Sequence, residues 1–334
     1  MSAPPAPTGE TIIYLDSNYH PLPSNFFPAP HTYIAYPHTP LPLITPRIFR
    51  ATILLTSLCP LTRETLSLLP PSQLKLIIIT SVGTNHVDLA YCAENNIRVS
   101  NMPDTNTETV AEHAVALYFA VKRDVVMDDE GGAVGEPGTG ILGMNTWEGG
   151  GARSCRSEVV GIVGGGKIGL AISNLCTALG MKVLISERKS IPQAQARAGR
   201  TAFSSILTQC TTIILSCPLS SETKNLISAP ELSLMRRDAI LVNVARGGVV
   251  NEADLARALD EGEILGAATD VFEREPVEKG GSPLVRGEGE ERVRNLIVSP
   301  HVAWFGRDSQ EKCVKAIAEI FEGYLKGEKV NFVV

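Results

Sequence analysis

No apolar run in the 334 residues approaches the twenty or so that a membrane-spanning helix needs, so no membrane is expected as host or partner. The opening MSAPPAPTGE has neither the basic nor the apolar region of a secretory signal, which points to the cytoplasm. The seven cysteines are odd in number and include no CxxC pair. A disulfide framework and a zinc site are therefore not expected, and reduced, mostly buried thiols are. Clusters of Lys and Arg are missing too, and with a net charge of -6 this excludes nucleic acid as the main partner. No internal repeat is present. What is present is a chain with 44% hydrophobic and 20% charged residues, long enough for two domains that each bury a core.

The most informative stretch is Val159 to Gly169, VVGIVGGGKIG. A β-branched run feeds glycines spaced Gly164-x-Gly166-x-x-Gly169, and a helical pattern of Ile168, Ile172, Leu175 and Leu179 follows, with Gly180 able to end it. Strand, tight turn and helix start in this order suit a dinucleotide: one glycine turns the chain, one lets backbone approach a pyrophosphate, and one lets helix and strand pack closely. Lys182 to Ser186 then read as a second strand ending on Glu187, whose carboxylate can accept both hydroxyls of an adenosine ribose.

Upstream, apolar runs at Thr11 to Leu15, Thr32 to Tyr36, Ala51 to Thr56 and Leu74 to Thr80 alternate with polar segments, as strands of a parallel sheet do. Thr109 and Glu112 have the spacing of a capping box at the start of a helix whose Val110, Ala114, Leu117 and Val121 share one face. Residues 128–151 are glycine-rich with little periodicity. Further strands fall near Thr212 to Ser216, Ile240 to Val244 and Gly266 to Asp270. A last helix is expected to pack Val314, Ile317, Phe321 and Leu325 on the first domain, and Glu278 to Arg294 reads as a solvated loop.

Three polar segments follow strands in the second half. NVARGGVVNEADL carries Arg246, whose guanidinium fork can hold the carboxylate and carbonyl oxygens of a 2-oxo acid together. GAATDVFEREP carries Asp270 and Glu275, and VSPHVAW carries His301. Singly, each is most simply a solvated arginine, an exposed ion pair or a structural histidine; the glycine turn beside them changes that weighting.

With TSVGTNHVDLA, GGGKIG, SERK and SCPLSSETKNLI, these segments resemble, in order, the D-isomer-specific 2-hydroxyacid dehydrogenases, and most closely their glycerate dehydrogenase or hydroxypyruvate reductase branch. The resemblance implies an α/β fold of two doubly wound parallel-sheet domains. An NAD-binding Rossmann domain at 105–299 would be inserted into a flavodoxin-like substrate domain formed by 1–104 and 300–334. It implies catalysis by Arg246, Glu275 and His301. His301, its pKa raised by Glu275, would protonate the keto oxygen while hydride leaves the nicotinamide, and Arg246 would orient the substrate. Ser81, Val82 and Gly83 would grip the substrate carboxylate, with Arg246 and His301 as further substrate contacts. Around the cofactor it implies Val110, Gly164, Gly166, Lys167, Ile168, Gly169, Glu187, Arg188, Cys217, Pro218, Thr223, Val244, Ala245, Asp270 and Ala303, with Asp270 accepting from the nicotinamide carboxamide.

Glu187 favours NAD(H), since a carboxylate repels a 2′-phosphate; Arg188 and Lys189 admit NADP(H) as a weaker alternative. Trp304 and SERK favour hydroxypyruvate or glyoxylate as the small 2-oxo acid. A homodimer is implied. Ser216 departs from the pattern, since many relatives have histidine there. The competing reading is a dinucleotide-sensing binding protein, like the family's corepressors, that keeps the same three residues with little turnover.

Overall fold

The structure, a computed structural model, describes residues 9–123 and 152–334, and the chain divides into two compact units, Met1–Asn106 with Gly306–Val334, and Thr107–Phe305. The second interrupts the first along the chain. The glycine-rich stretch at 128–151 lies outside the described residues.

In the first unit, β1 (Thr11–Tyr14), β2 (Thr32–Ala35), β3 (Ile53–Thr56), β4 (Leu76–Ile79) and β5 (Arg98–Ser100) form a parallel sheet in the order β2-β1-β3-β4-β5. That is the flavodoxin-like order. Every residue of β3 and β4 is buried, as a sheet covered on both faces requires. Ile13, Leu54, Ile77 and Val99 point into one core, while Ile12, Ile53, Leu55, Leu76 and Ile78 meet the helix Arg307–Leu325 on the other face. That helix corrects the expected face. It buries Cys313, Ala316, Ile317, Ile320 and Phe321, while Leu325 is exposed and Val314 half-buried. At 100° per residue, Val314 and Leu325 lie on one flank of Ile317 and the buried set extends to the other.

His20 is buried in this unit, and burial pushes its pKa down to about 4. Its folded pKa is thus below its ordinary value near 6.5, so the unfolded chain binds the proton first. The stability from keeping it neutral is complete above pH 6.5 and is lost as pH falls toward 4, by up to about 3 kcal/mol. Hydrogen exchange of the Ile13 and Leu54 amides between pH 7 and 4.5 should show this loss of protection, and His20→Asn should flatten it. An equal slope in the variant would place the titration elsewhere.

In the second unit, β6 (Val159–Val163), β7 (Lys182–Ser186), β8 (Arg200–Thr201), β9 (Thr212–Leu215), β10 (Ile240–Asn243), β11 (Gly266–Thr269) and β12 (Leu296–Val298) form a parallel sheet in the order β12-β11-β10-β9-β6-β7-β8. Counted from β6, this is the dinucleotide-binding order 3-2-1-4-5-6 with a seventh strand added. The order reverses between β6 and β9, which opens a crevice at their carboxyl ends.

The helix Thr107–Arg123 covers one face with Val110, Ala114, Leu117 and Val121, all buried. It begins two residues before Thr109, which is its third residue and not its cap. The segment 278–294 is also corrected. Its charges are largely exposed, but Leu284 and Val293 enter the core and Ser282 hydrogen-bonds Glu252, so it is an anchored loop.

Candidate active site

β6 delivers the chain into Gly164 at φ +115°, a left-handed conformation that glycine adopts freely. A side chain there would overlap the backbone of Ser216 and Cys217 beyond β9, and one on Gly169 would overlap the Gly164 carbonyl oxygen. Gly166 differs: a Cβ on it would meet nothing within 4 Å. It caps the helix Lys167–Ala178, whose first backbone bond is Leu170 N–H to the Gly166 carbonyl at 2.9 Å. The backbone N–H groups of the first helical residues, Lys167, Ile168 and Gly169, therefore have no partner within the helix ladder. Open space at Gly166, amides outside the ladder and the positive end of a helix fit a pyrophosphate. Ser216 donates to the Gly164 carbonyl at 2.9 Å and so ties the turn to β9.

Around the same edge, Val244 and Ala245 follow β10, Cys217 and Pro218 follow β9, and all but the proline are buried, as are Val110 and Ala303. Burial pushes the Cys217 thiol up to about 11, so it stays protonated and acts as a small apolar group. Thr223 closes its own loop, donating to the Pro218 carbonyl and accepting from Ser220 N–H, each at 2.7 Å.

Asp270, at the end of β11, is almost wholly buried. Oδ1 accepts from Ser299 Oγ at 2.6 Å and Val302 N–H at 2.9 Å, and Oδ2 accepts from Ala303 N–H at 2.9 Å. His113 Nε2 lies 3.0 Å from Ser299 Oγ and 3.4 Å from Oδ1. These donors outweigh the burial that would raise its pKa, and hold the carboxyl below its ordinary value. One acceptor position on Oδ2 is left, and the Asp270 carboxylate fixes the backbone on either side of Val302.

Glu187 follows β7 as expected, but its carboxylate is engaged. It accepts from Arg188 N–H at 2.9 Å and from three Arg197 donors, N–H at 3.1 Å, Nε at 2.8 Å and Nη2 at 2.6 Å. Arg197 above all, then these backbone donors, hold its pKa far below the carboxylate range. Lys189 is turned away to Glu231 at 2.9 Å, and Arg188 lies 3.8 Å from Glu222.

The three distant segments meet at the carboxyl ends of β10, β11 and β12. His301 stands at φ +54° with Nδ1 2.6 Å from Glu275 Oε2, and its carbonyl accepts from Trp304 Nε1 at 2.8 Å. Glu275 Oε1 accepts from Phe272 N–H at 2.8 Å, which fixes the carboxylate. His301 Nε2 makes no hydrogen bond to a described residue, and the side chain is 30% exposed. Arg246, half-buried just beyond β10, has its pKa lowered by burial, a shift that the Glu275 charge opposes. Its Nη1 donates to the Ala245 carbonyl at 2.7 Å. Asn243 braces the turn that presents it, accepting from Ala245 N–H at 3.0 Å and donating to the Arg246 carbonyl at 3.2 Å.

The turn Ser81–Val82–Gly83 belongs to the first unit. Asn101 Nδ2 holds the Val82 carbonyl at 2.8 Å and Ser81 Oγ holds that of Gly83 at 3.0 Å. The Val82 and Gly83 N–H groups donate to no described residue, the condition for an anion-receiving turn.

Comparison with known proteins agrees with this architecture. Residues 144–303 match the family model "D-isomer specific 2-hydroxyacid dehydrogenase, NAD binding domain". The glycerate dehydrogenase of Methylorubrum extorquens is 35% identical over 299 residues, covering 87% of this chain and 88% of its own. The chain belongs to the D-isomer-specific 2-hydroxyacid dehydrogenases. This dehydrogenase is an NAD-dependent oxidoreductase of that family. It is also similar to the glyoxylate reductase of Thermococcus litoralis, at 32% identity over 77% of this chain and 75% of the relative. Among solved structures, an acyclic imino acid reductase in complex with NADPH and D-Arg superposes with a TM-score of 0.77 at 25% identity, covering 97% of this chain and 100% of the other.

Sequence reasoning missed several groups that shape the dehydrogenase site. Asn243 stood inside a quoted motif, directly before VARGG, and a strand-ending asparagine ahead of a turn is a readable signal. His113, Arg197 and Arg200 carried no local signal, because each acts on residues brought near only by the fold.

Proposed function

We propose that this enzyme reduces a small 2-oxo acid, hydroxypyruvate or glyoxylate, to the D-2-hydroxy acid with NADH, using a His301–Glu275 proton relay and an Arg246 substrate clamp. The observation that carries the proposal is the His301–Glu275 pair at 2.6 Å, with Nε2 bonded to no described residue, at the carboxyl edge of the sheet that bears the glycine turn. NADH, held through its pyrophosphate at the Gly164–Gly169 turn, would supply the hydride for the carbonyl carbon.

His301 Nε2 then gives the oxygen its proton. Glu275, held by Phe272 N–H, accepts from Nδ1 and so sets which ring nitrogen faces the substrate. Arg246 spends one N–H on the Ala245 carbonyl, and the rest of its five-donor fork serves the substrate carboxylate and the oxygen on which charge builds. The same proposal includes a homodimer, as the family resemblance implies, and a cytoplasmic location.

Loss of absorbance at 340 nm with NADH and hydroxypyruvate or glyoxylate tests the reading, with D-glycerate as the product from hydroxypyruvate. Tight NADH binding without turnover would support the dinucleotide-sensing alternative instead.

A further inference from the structure

His301 sits on a short segment that leaves β12 and is pinned to Asp270 at three points, by Ser299 Oγ at 2.6 Å and by the Val302 and Ala303 N–H groups at 2.9 Å each. One of these points precedes the histidine and two follow it. A non-glycine backbone at φ +54° persists only where its surroundings fix it, and here the Asp270 carboxylate does so from both sides.

A further group stands behind these contacts. His113, on the helix Thr107–Arg123, comes three residues after Val110 and four before Leu117, so it shares their buried face, and its side chain is 25% exposed. Its Nε2 lies 3.0 Å from Ser299 Oγ and 3.4 Å from Asp270 Oδ1. A serine hydroxyl has one proton, and the 2.6 Å bond commits it to a carboxylate that can only accept. Ser299 Oγ must then accept from His113, which requires a proton on Nε2 whether that ring is neutral or charged. The donors therefore run in one direction, from His113 to Ser299 to Asp270.

We propose that His113 is a positioning residue for His301, acting through Ser299 and Asp270. Its Nε2–H fixes the Ser299 hydroxyl, the hydroxyl fixes the carboxylate, and the carboxylate holds Val302 and Ala303, the two residues that follow His301. The His113 ring gives one hydrogen bond and passes no proton to the substrate. This rests on the reading of His301 as the proton donor.

Three variants test it, read by rate, affinity and one resonance. His113→Leu keeps a good helix former and removes the donor, whereas the side-chain amide of His113→Gln can place an N–H near where Nε2 stood. His113→Leu should lower kcat for hydroxypyruvate, per site titrated with NADH, by about three- to tenfold, the worth of one buried hydrogen bond. KM and NADH affinity should move by less than about twofold, and His113→Gln should recover most of the rate. A residue that only supported the fold would lower the melting temperature and leave kcat per titrated site unchanged. Ser299→Ala should cost at least as much as His113→Leu, and the two together no more than Ser299→Ala alone, because they break one chain. The Trp304 indole N–H, which donates to the His301 carbonyl, reports the segment by NMR without turnover, and its resonance should move in His113→Leu and return in His113→Gln. Full kcat in His113→Leu, equal losses in both His113 variants, losses that add in full with Ser299→Ala, or an unmoved Trp304 resonance would each overturn the inference and leave the proposed function standing. A wild-type enzyme without turnover would overturn the proposed function instead, and the Trp304 resonance would still decide whether His113 sets the segment that carries His301.

Discussion

Arg246→Ala should lower kcat/KM for hydroxypyruvate by about a thousandfold, equivalent to about 4 kcal/mol of transition-state stabilisation, and leave NADH binding unchanged. The expectation follows from what the side chain touches. Its one hydrogen bond among the described residues runs to the Ala245 carbonyl, while the turn that carries it is braced by Asn243. Removal therefore takes away a desolvated guanidinium without undoing β10. Arg246→Lys should recover little, since a point charge cannot reproduce a planar fork. Steady-state kinetics and NADH titration of both variants check this, and an active alanine variant would mean that another group orients the substrate.

His301→Gln should reduce turnover by about 10²–10⁴-fold, the range a positioned proton donor contributes. Glutamine can still meet Glu275, so the backbone at φ +54° and the Trp304 contact have reason to persist. What is lost is the ring nitrogen that gives up the proton. Glu275→Gln should cost less, since an amide oxygen can still accept from Nδ1. Steady-state kinetics of both variants check this, and full turnover by His301→Gln would assign the proton to another group.

The strand, turn and helix at 159–178 were legible because their demands are local: Gly164 needs its positive φ, and Gly169 has no room for a Cβ. The two parallel sheets were legible for a related reason, since strands buried on both faces read as unbroken apolar runs. The very short strands β5, β8 and β12, of two or three residues, give no such run and were passed over. The face of the last helix was read a flank away because periodicity says which residues share a side but not where the neighbouring sheet centres its contact.

At the site, motif order pointed to Arg246, Glu275 and His301, and the structure brings His301 and Glu275 into contact, while Arg246 is half-buried after the neighbouring strand and its side-chain bond runs to the Ala245 carbonyl. The Glu187–Arg197 pair could not be read in this way. Nine residues of chain lie between the two, and only the folded loop shows that the acid is already engaged.

The account rests on one arrangement, in which Arg246 and His301 act on the same carbonyl oxygen. A crystal structure with NADH and oxamate, an unreactive 2-oxo acid analogue, tests it most directly. The prediction is that a guanidinium nitrogen of Arg246 and Nε2 of His301 both lie within about 2.6–3.2 Å of the analogue's carbonyl oxygen, with Nδ1 still on Glu275. An analogue seated beside the nicotinamide but out of reach of either side chain would contradict it.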